Sequence, residues 1–177
     1  MKMTVVENSI QALEVLDVVD MDDKVIGQAT RREVHEKGLL HRAVHVFIFN
    51  SLGEIYIQRR SRLKDRYPLK LDSSAAGHVD SGETYEEAAG RELMEELGIM
   101  ADLAIILKVQ PCPETDDESV VLFEARSDQP PAPLPDEIYN GEFINPDKLS
   151  ELMKSDPDDF VPAFILLWGL YLNRGSS

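Results

Sequence analysis

Residues 77–99, GHVDSGETYEEAAGRELMEELGI, constrain this chain more than any other stretch. Thr84 with Glu87 three residues on has the form of a capping box, in which each side chain satisfies a backbone N–H at a helix start. Tyr85, Ala89, Leu93 and Leu97 recur every four residues as one apolar face, and Gly98 supplies a C-terminal stop. This spacing predicts a helix opening at Thr84 and ending at Gly98. On it Glu92, Glu95 and Glu96 stand at i, i+3 and i+4, so three carboxylates share a face. Like charges at that spacing cost about 0.2–0.5 kcal/mol per pair, a cost that a bound cation removes. Oxygen donors favour Mg²⁺ or Mn²⁺ over zinc. A solvated acidic helix face would have the same spacing, so helix geometry alone leaves both readings open.

Around this helix the patterning is mostly β. Residues 13–35 suggest two short strands turning at Asp22-Asp23. RAVHVFIFNSLGEIYIQRR reads as a hairpin through Asn50-Ser51-Leu52-Gly53, apolar on both faces, as a central strand covered from two sides should be. Residues 58–74 read as a polar loop, two strands follow near 101–110 and 119–126, and RSDQPPAPLPDEI is a proline-rich surface connection. Helices are expected over 146–153 and 159–172. The expected organisation is a loose leader at 1–8 and one domain over 9–177.

With 177 residues, 43% of them hydrophobic, the chain can bury a sizeable core. Its formal net charge of −15 repels nucleic-acid backbones and anionic membrane surfaces, so neither polymer nor membrane is an expected partner. Cys112 is the single cysteine, which excludes an intrachain disulfide and a cysteine-built zinc site. No apolar run fits a signal peptide or a bilayer span, and a cytoplasmic location is the expectation. Against the overall charge, residues 59–70 carry Arg59, Arg60, Arg62, Lys64, Arg66 and Lys70. Forked and point cations suit phosphate oxygens, and an ordinary solvated basic loop would carry the same run. Should the ligand be a diphosphate, Arg60 and Lys64 are the expected binders of its distal diphosphate.

The segment 77–99 matches the Nudix box at every defined position: Gly77, Glu83, Arg91-Glu92-Leu93, Glu95-Glu96 and Gly98-Ile99. The chain resembles the Nudix superfamily along nearly its whole length. That resemblance implies an α/β fold, an α/β/α sandwich with a mixed central sheet and the box as a loop–helix–loop. It implies Mg²⁺- or Mn²⁺-dependent hydrolysis of a diphosphate linkage in a small-molecule substrate. Glu92, Glu95, Glu96 and the carbonyl of Gly77 are the implied metal ligands, and Glu83 and Arg91 an implied pair bracing loop against helix. The cation would neutralise charge on the leaving phosphate, and a carboxylate would take a proton from the attacking water. Glu118, Glu95 and Glu92 all remain open for that role. A homodimer is a superfamily-level expectation.

A narrower stretch, KGLLHRAVHVFIFNSLGEIYIQRRS, resembles type I isopentenyl-diphosphate isomerases, which share the fold but shift a double bond. By position their metal site maps onto His41, His78, Asp116 and Glu118, with His35 a weaker match by spacing. The isomerase cysteine falls at Ala76 and its tryptophan at Ala163; Cys112 and Trp168 lie elsewhere. Alanine cannot shuttle a proton, so the reading favours a hydrolase of the isomerase-like branch. Its alternatives are an isomerase using another acid and a non-catalytic ligand-sensing module. His45, alternating within a strand, reads as a packed side chain. Tyr67 and Tyr139 are loop aromatics that could stack on a base.

Overall fold

The computed structural model describes residues 13–175; the leader expected at 1–8 lies outside them. A hairpin of β1 (Val15–Val19) and β2 (Val25–Thr30) comes first, then helix α1 (Arg31–Lys37). Strands β3 (His41–Phe49), β4 (Ile55–Arg60), β5 (Leu71–Asp72) and β6 (Ala75–His78) lead to helix α2 (Tyr85–Leu97). Strands β7 (Ala104–Val109), β8 (Glu118–Arg126) and β9 (Ile138–Ile144) follow, then helices α3 (Pro146–Ser155) and α4 (Pro162–Asn173). The main sheet runs β5-β4-β3-β8-β7, with β6 added on β3 and β9 on β4. β3 and β8 are parallel and their other neighbours antiparallel, so the sheet is mixed.

β3 is the axis of the molecule because both its faces are apolar. Val44, Val46 and Ile48 pack beneath Ala88, Ala89, Leu93 and Leu97 of α2. Ala43, Phe47 and Phe49 face Phe164, Leu167, Trp168 and Tyr171 of α4. Phe47 meets three of those rings at centroid distances of 5.4–5.8 Å, and the Trp168 indole N–H donates to Ser150 of α3 at 3.0 Å. Helices thus cover both faces of one sheet, an α/β sandwich.

The predicted ends of α2 are present: Thr84 and Glu87 form a reciprocal capping box and Gly98 closes the helix at φ 65°. Thr84→Ala should therefore cost about 1 kcal/mol in chemical denaturation. Cleavage of substrate should change little, because the cap lies on the exposed side of the box.

Several elements differ from the sequence reading: within the expected loop 58–74, β4 runs on to Arg60 and β5 pairs back on it. Residues 31–37 form a helix, capped by Thr30 with Glu33 and ended by Gly38 at φ 61°. It buries Val34 alone, so no apolar stripe announced it. β9 carries exposed residues between buried ends and owes its conformation to pairing along β4. There Gly141 lets the Tyr56 hydroxyl approach to 2.1 Å from where a Cβ would stand. The predicted 42–60 hairpin exists but splays, because β4 pairs with β3 at Phe49–Ile55 and then turns to β9 and β5.

Candidate active site

Where β4 leaves β3 and β6 pairs with it instead, the sheet opens into a cleft of about 330 Å³. Helix α2 points Glu92 and Glu96 into it. Glu96 is buried; it accepts from the Gln58 amide at 2.8 Å and from the Ala76 backbone N–H at 3.2 Å. Glu92 accepts from Arg91 Nη1 at 2.6 Å, whereas Glu95, one residue before Glu96, leaves 58% of its side chain exposed. Burial pushes both the Glu92 and Glu96 carboxyls above the usual range, and for Glu92 the neighbouring Glu96 charge adds to it. Glu96, buried, and Glu92, half-buried against the Gly77 backbone, repel one another and fit a hard divalent cation.

Arg91 ties this helix to the loop before it. It donates to Glu83 through Nε at 2.9 Å and Nη2 at 2.8 Å, and to the His78 carbonyl at 3.0 Å. Burial works to raise Glu83, but the Arg91 hydrogen bonds outweigh it and hold that carboxyl low. The loop passes close enough to α2 that a Cβ on Gly77 would lie 2.1 Å from Glu92 Cδ and Oε1. Gly77→Ala should displace Glu92 and weaken Mg²⁺ affinity at least tenfold by calorimetry. Unchanged affinity would mean that the Gly77–Glu92 approach does not matter to the cation.

On the opposite side of β6 lies a second group. The parallel register sets Glu118 of β8 beside His41 of β3, and the antiparallel one sets His78 beside Ala43. α1 adds His35. Ring centroids of His35, His41 and His78 lie 5.0–5.3 Å apart, and one donor atom from each of these and from Glu118 falls within 4.8 Å of the others. His78 Nε2 is 3.3 Å from Glu118 Oε1. His41 Nε2 is also 3.3 Å from it but off the hydrogen-bonding direction, and its Nδ1 sits 3.0 Å from the Leu39 carbonyl. His35 Nε2 and His41 Nε2 are buried without partners among the described residues. Orphaned imidazole nitrogens held from behind by a carbonyl suit a transition-metal ion. Burial would raise Glu118, yet the hydrogen bond from His78 and the neighbouring His41 and His78 rings hold it well below the carboxylate range.

Asp116 stands apart from this group: it accepts from the Tyr67 hydroxyl at 2.8 Å and pairs with Arg66 at 3.1 Å. Arg60 and Lys64 both line the cleft, and both already hold acidic partners. Arg60 donates to Asp72 at 3.0 Å, and Lys64 pairs with Glu137 and lies 3.8 Å from Glu96. His45, read from sequence as packing, also lines the cleft, and so do Ala76 and Ala163. Tyr67 lines it too, whereas Trp168 is buried in the α4 face of the core.

A NUDIX domain model matches residues 39–164. The chain belongs to the Nudix family. It is 40% identical over 152 residues to a Nudix hydrolase of Nostoc, covering 83% of this chain and 90% of that one. It is 33% identical over 156 residues to an isopentenyl-diphosphate Delta-isomerase of Photorhabdus laumondii, covering 85% and 88%. A crystal structure from Deinococcus radiodurans superposes with a TM-score of 0.71 at 35% identity, over 80% of this Nudix chain and 90% of the other. Family membership therefore supports a hydrolase, while relatives named as isomerases share much of the same sequence.

Proposed function

We propose that this Nudix protein is a divalent-metal-dependent hydrolase that cleaves a diphosphate linkage in a nucleoside diphosphate derivative or a related small metabolite. The observation that carries the reading is buried Glu96 beside Glu92, itself packed against the Gly77 backbone, in a cleft shared with Arg60 and Lys64. Glu92, Glu96 and the Gly77 carbonyl would hold Mg²⁺ or Mn²⁺, with Glu95 completing the set from the exposed side. The bound cation supplies charge neutralisation at the diphosphate oxygens. Arg91, clamped to Glu83, fixes the carbonyl loop and orients Glu92. Arg60 and Lys64 bind the distal phosphate, exchanging protein carboxylates for phosphate oxygens as substrate enters. The proton acceptor for the attacking water is one of Glu118, Glu95 and Glu92. The reading takes residues 9–177 as one domain working in the cytoplasm, and a homodimer is compatible with it.

A second reading, double-bond isomerisation of isopentenyl diphosphate, is favoured by the His35–His41–His78–Glu118 group and by the isomerase relatives. Against it, Ala76 and Ala163 line the cleft where that chemistry needs a cysteine and a tryptophan. One experiment separates the two. The protein is given nucleotides, sugar nucleotides, dinucleotide polyphosphates, thiamine and isoprenoid diphosphates with Mg²⁺ or Mn²⁺, with Glu95→Gln as control. Metal-dependent phosphate or diphosphate release that disappears in the control is expected. No release, with deuterium exchange into isopentenyl diphosphate in heavy water, would replace the hydrolase by the isomerase. Neutralising Arg60 and Lys64 together should raise KM at least tenfold and flatten its salt dependence; an unchanged KM removes them from the phosphate site.

A further inference from the structure

The cleft contains an imidazole that the chemistry above leaves unused. His45 is only 5% exposed and points, like Ala43 and Phe47, to the α4 face of β3, opposite Ala76 of β6. Its Nδ1 lies 2.7 Å from Ser73 Oγ and 3.8 Å from Asp72 Oδ1. Among the described residues nothing bonds Nε2, although the ring lines the cleft.

The surroundings choose the tautomer. Ser73 Oγ can give its own proton to Asp72 Oδ1 or to the Ala75 carbonyl, both 3.3 Å away. Asp72 is buried and anchored on its far oxygen by Arg60. A carboxylate on the Nδ1 side favours a proton on Nδ1, donated to Ser73 Oγ, which leaves a bare lone pair at Nε2. Burial lowers the ring's pKa from its ordinary value, with Arg60 adding to that and Asp72 and Glu118 opposing it. Nε2 opens onto the cleft with no protein donor among the described residues, so it is free to accept a hydrogen bond from a bound molecule. Ala43, Ala76, Val161 and Ala163 line the same cleft without a side-chain donor, while Arg60, Tyr67 and Thr115 line it as well.

We propose that His45 is a specificity-determining residue, whose Nε2 accepts a hydrogen bond from a hydroxyl on the non-phosphate part of the substrate while Ser73 and Asp72 hold it as the Nδ1–H tautomer. The proposal rests on the hydrolase reading for its substrate but not for its test, which includes binding. A hydrocarbon group in the same place leaves Nε2 unpaired, so a prenyl diphosphate is disfavoured on the same ground that a hydroxylated diphosphate is favoured. Sites that pair a substrate hydroxyl discriminate strongly against analogues that lack it.

The test compares UDP with 2′,3′-dideoxy-UDP and isopentenyl diphosphate by kcat/KM. It compares the α,β-methylene analogues of the two nucleotides by calorimetry with Mg²⁺ present. The native protein should prefer the hydroxylated ligand by about 10- to 100-fold in both. His45→Phe should collapse the preference to under threefold, through KM, while His45→Gln, which restores an acceptor, should recover part of it. Ser73→Ala, which leaves the imidazole in place but unanchored, should give an intermediate preference. Nitrogen NMR of the native protein should report a protonated Nδ1 and a bare Nε2, a readout independent of any variant's folding. A protonated Nε2, no preference in the native protein, or a preference untouched in both His45→Phe and Ser73→Ala overturns the proposal. Absence of hydrolysis across the panel with the binding preference intact removes the hydrolase reading and leaves this assignment standing.

Discussion

Replacing Glu92 or Glu96 by glutamine should lower metal-dependent turnover by about a thousandfold, while making the metal-free protein more stable at neutral pH. The loss follows from removing several kcal/mol of charge stabilisation at the diphosphate, and about 4 kcal/mol corresponds to that factor. The gain follows from burial. Both carboxyls have folded pKa values raised above the ordinary 4.5, so the folded state holds protons that the unfolded state has released. Their contribution to stability is complete below pH 4.5 and is lost as pH climbs through the raised values. Without metal, the native protein should therefore weaken from pH 5 towards pH 8, and each glutamine variant should flatten that slope. Mg²⁺ affinity should rise over the same range, because binding displaces the protons. Thermal melts of the chelated proteins against pH check this. A steeper slope in either variant would mean that those carboxylates are not buried in solution.

The same pair shows what helix spacing can and cannot tell. Positions i, i+3 and i+4 put Glu92, Glu95 and Glu96 on one face, and the box named all three. Their different environments follow from what the other chain segments bring. Gln58 of β4 and the Ala76 N–H reach Glu96, Gly77 brings backbone against Glu92, and Glu95 stays largely exposed with only Arg91 beside it. α2 itself was legible because period and caps are local. β3 was legible because both faces are apolar over nine residues. α1 and β9 were not, one being too short to show a stripe and the other being shaped by its partner strand.

Register explains the remaining differences at the site. His41 and Glu118 are far apart in sequence and meet only because β3 and β8 run parallel in one alignment. His35 joins them on a helix whose sole visible signs are Thr30, Glu33 and Gly38, and its spacing to His41 makes it only the weaker match. Asp116 follows the opposite course, close to Glu118 in sequence but turned towards Tyr67 and Arg66 at a left-handed φ of 54°. The basic run 59–70 reads as free positive charge in one dimension. Folded, Arg60 faces Asp72 and Lys64 faces Glu137, so the net charge of −15 reaches into the cleft and substrate must compete with it.

In the Glu92→Gln/Glu96→Gln double variant, which should no longer hold Mg²⁺, Mn²⁺ or Zn²⁺ should still raise the melting temperature through the histidine group. At a concentration about 100 times the dissociation constant the gain is about 2.7 kcal/mol, which in a chain of 177 residues corresponds to about 5–10 °C. Adding His78→Asn or Glu118→Gln should remove most of that shift, whereas adding Asp116→Asn should leave it, because Asp116 is turned away. A shift that survives both His78→Asn and Glu118→Gln would place the ion elsewhere. The pH dependence has a definite sign. Burial, with the His78 and His41 charges behind it, lowers His35 to about 4, so it is neutral and ready to bind at pH 7. Because its folded value lies below the unfolded 6.5, its contribution rises as pH passes from about 4 to 6.5 and is complete above that range. Glu118 acts in the same direction, its stabilisation present above pH 4.5 and lost as pH falls. Acid should thus weaken the metal-free double variant, from which the opposite contribution of Glu92 and Glu96 has been removed, and, by protonating the ligands, also shrink the gain from metal. The two losses separate by titrating melts with and without chelator between pH 4 and 7.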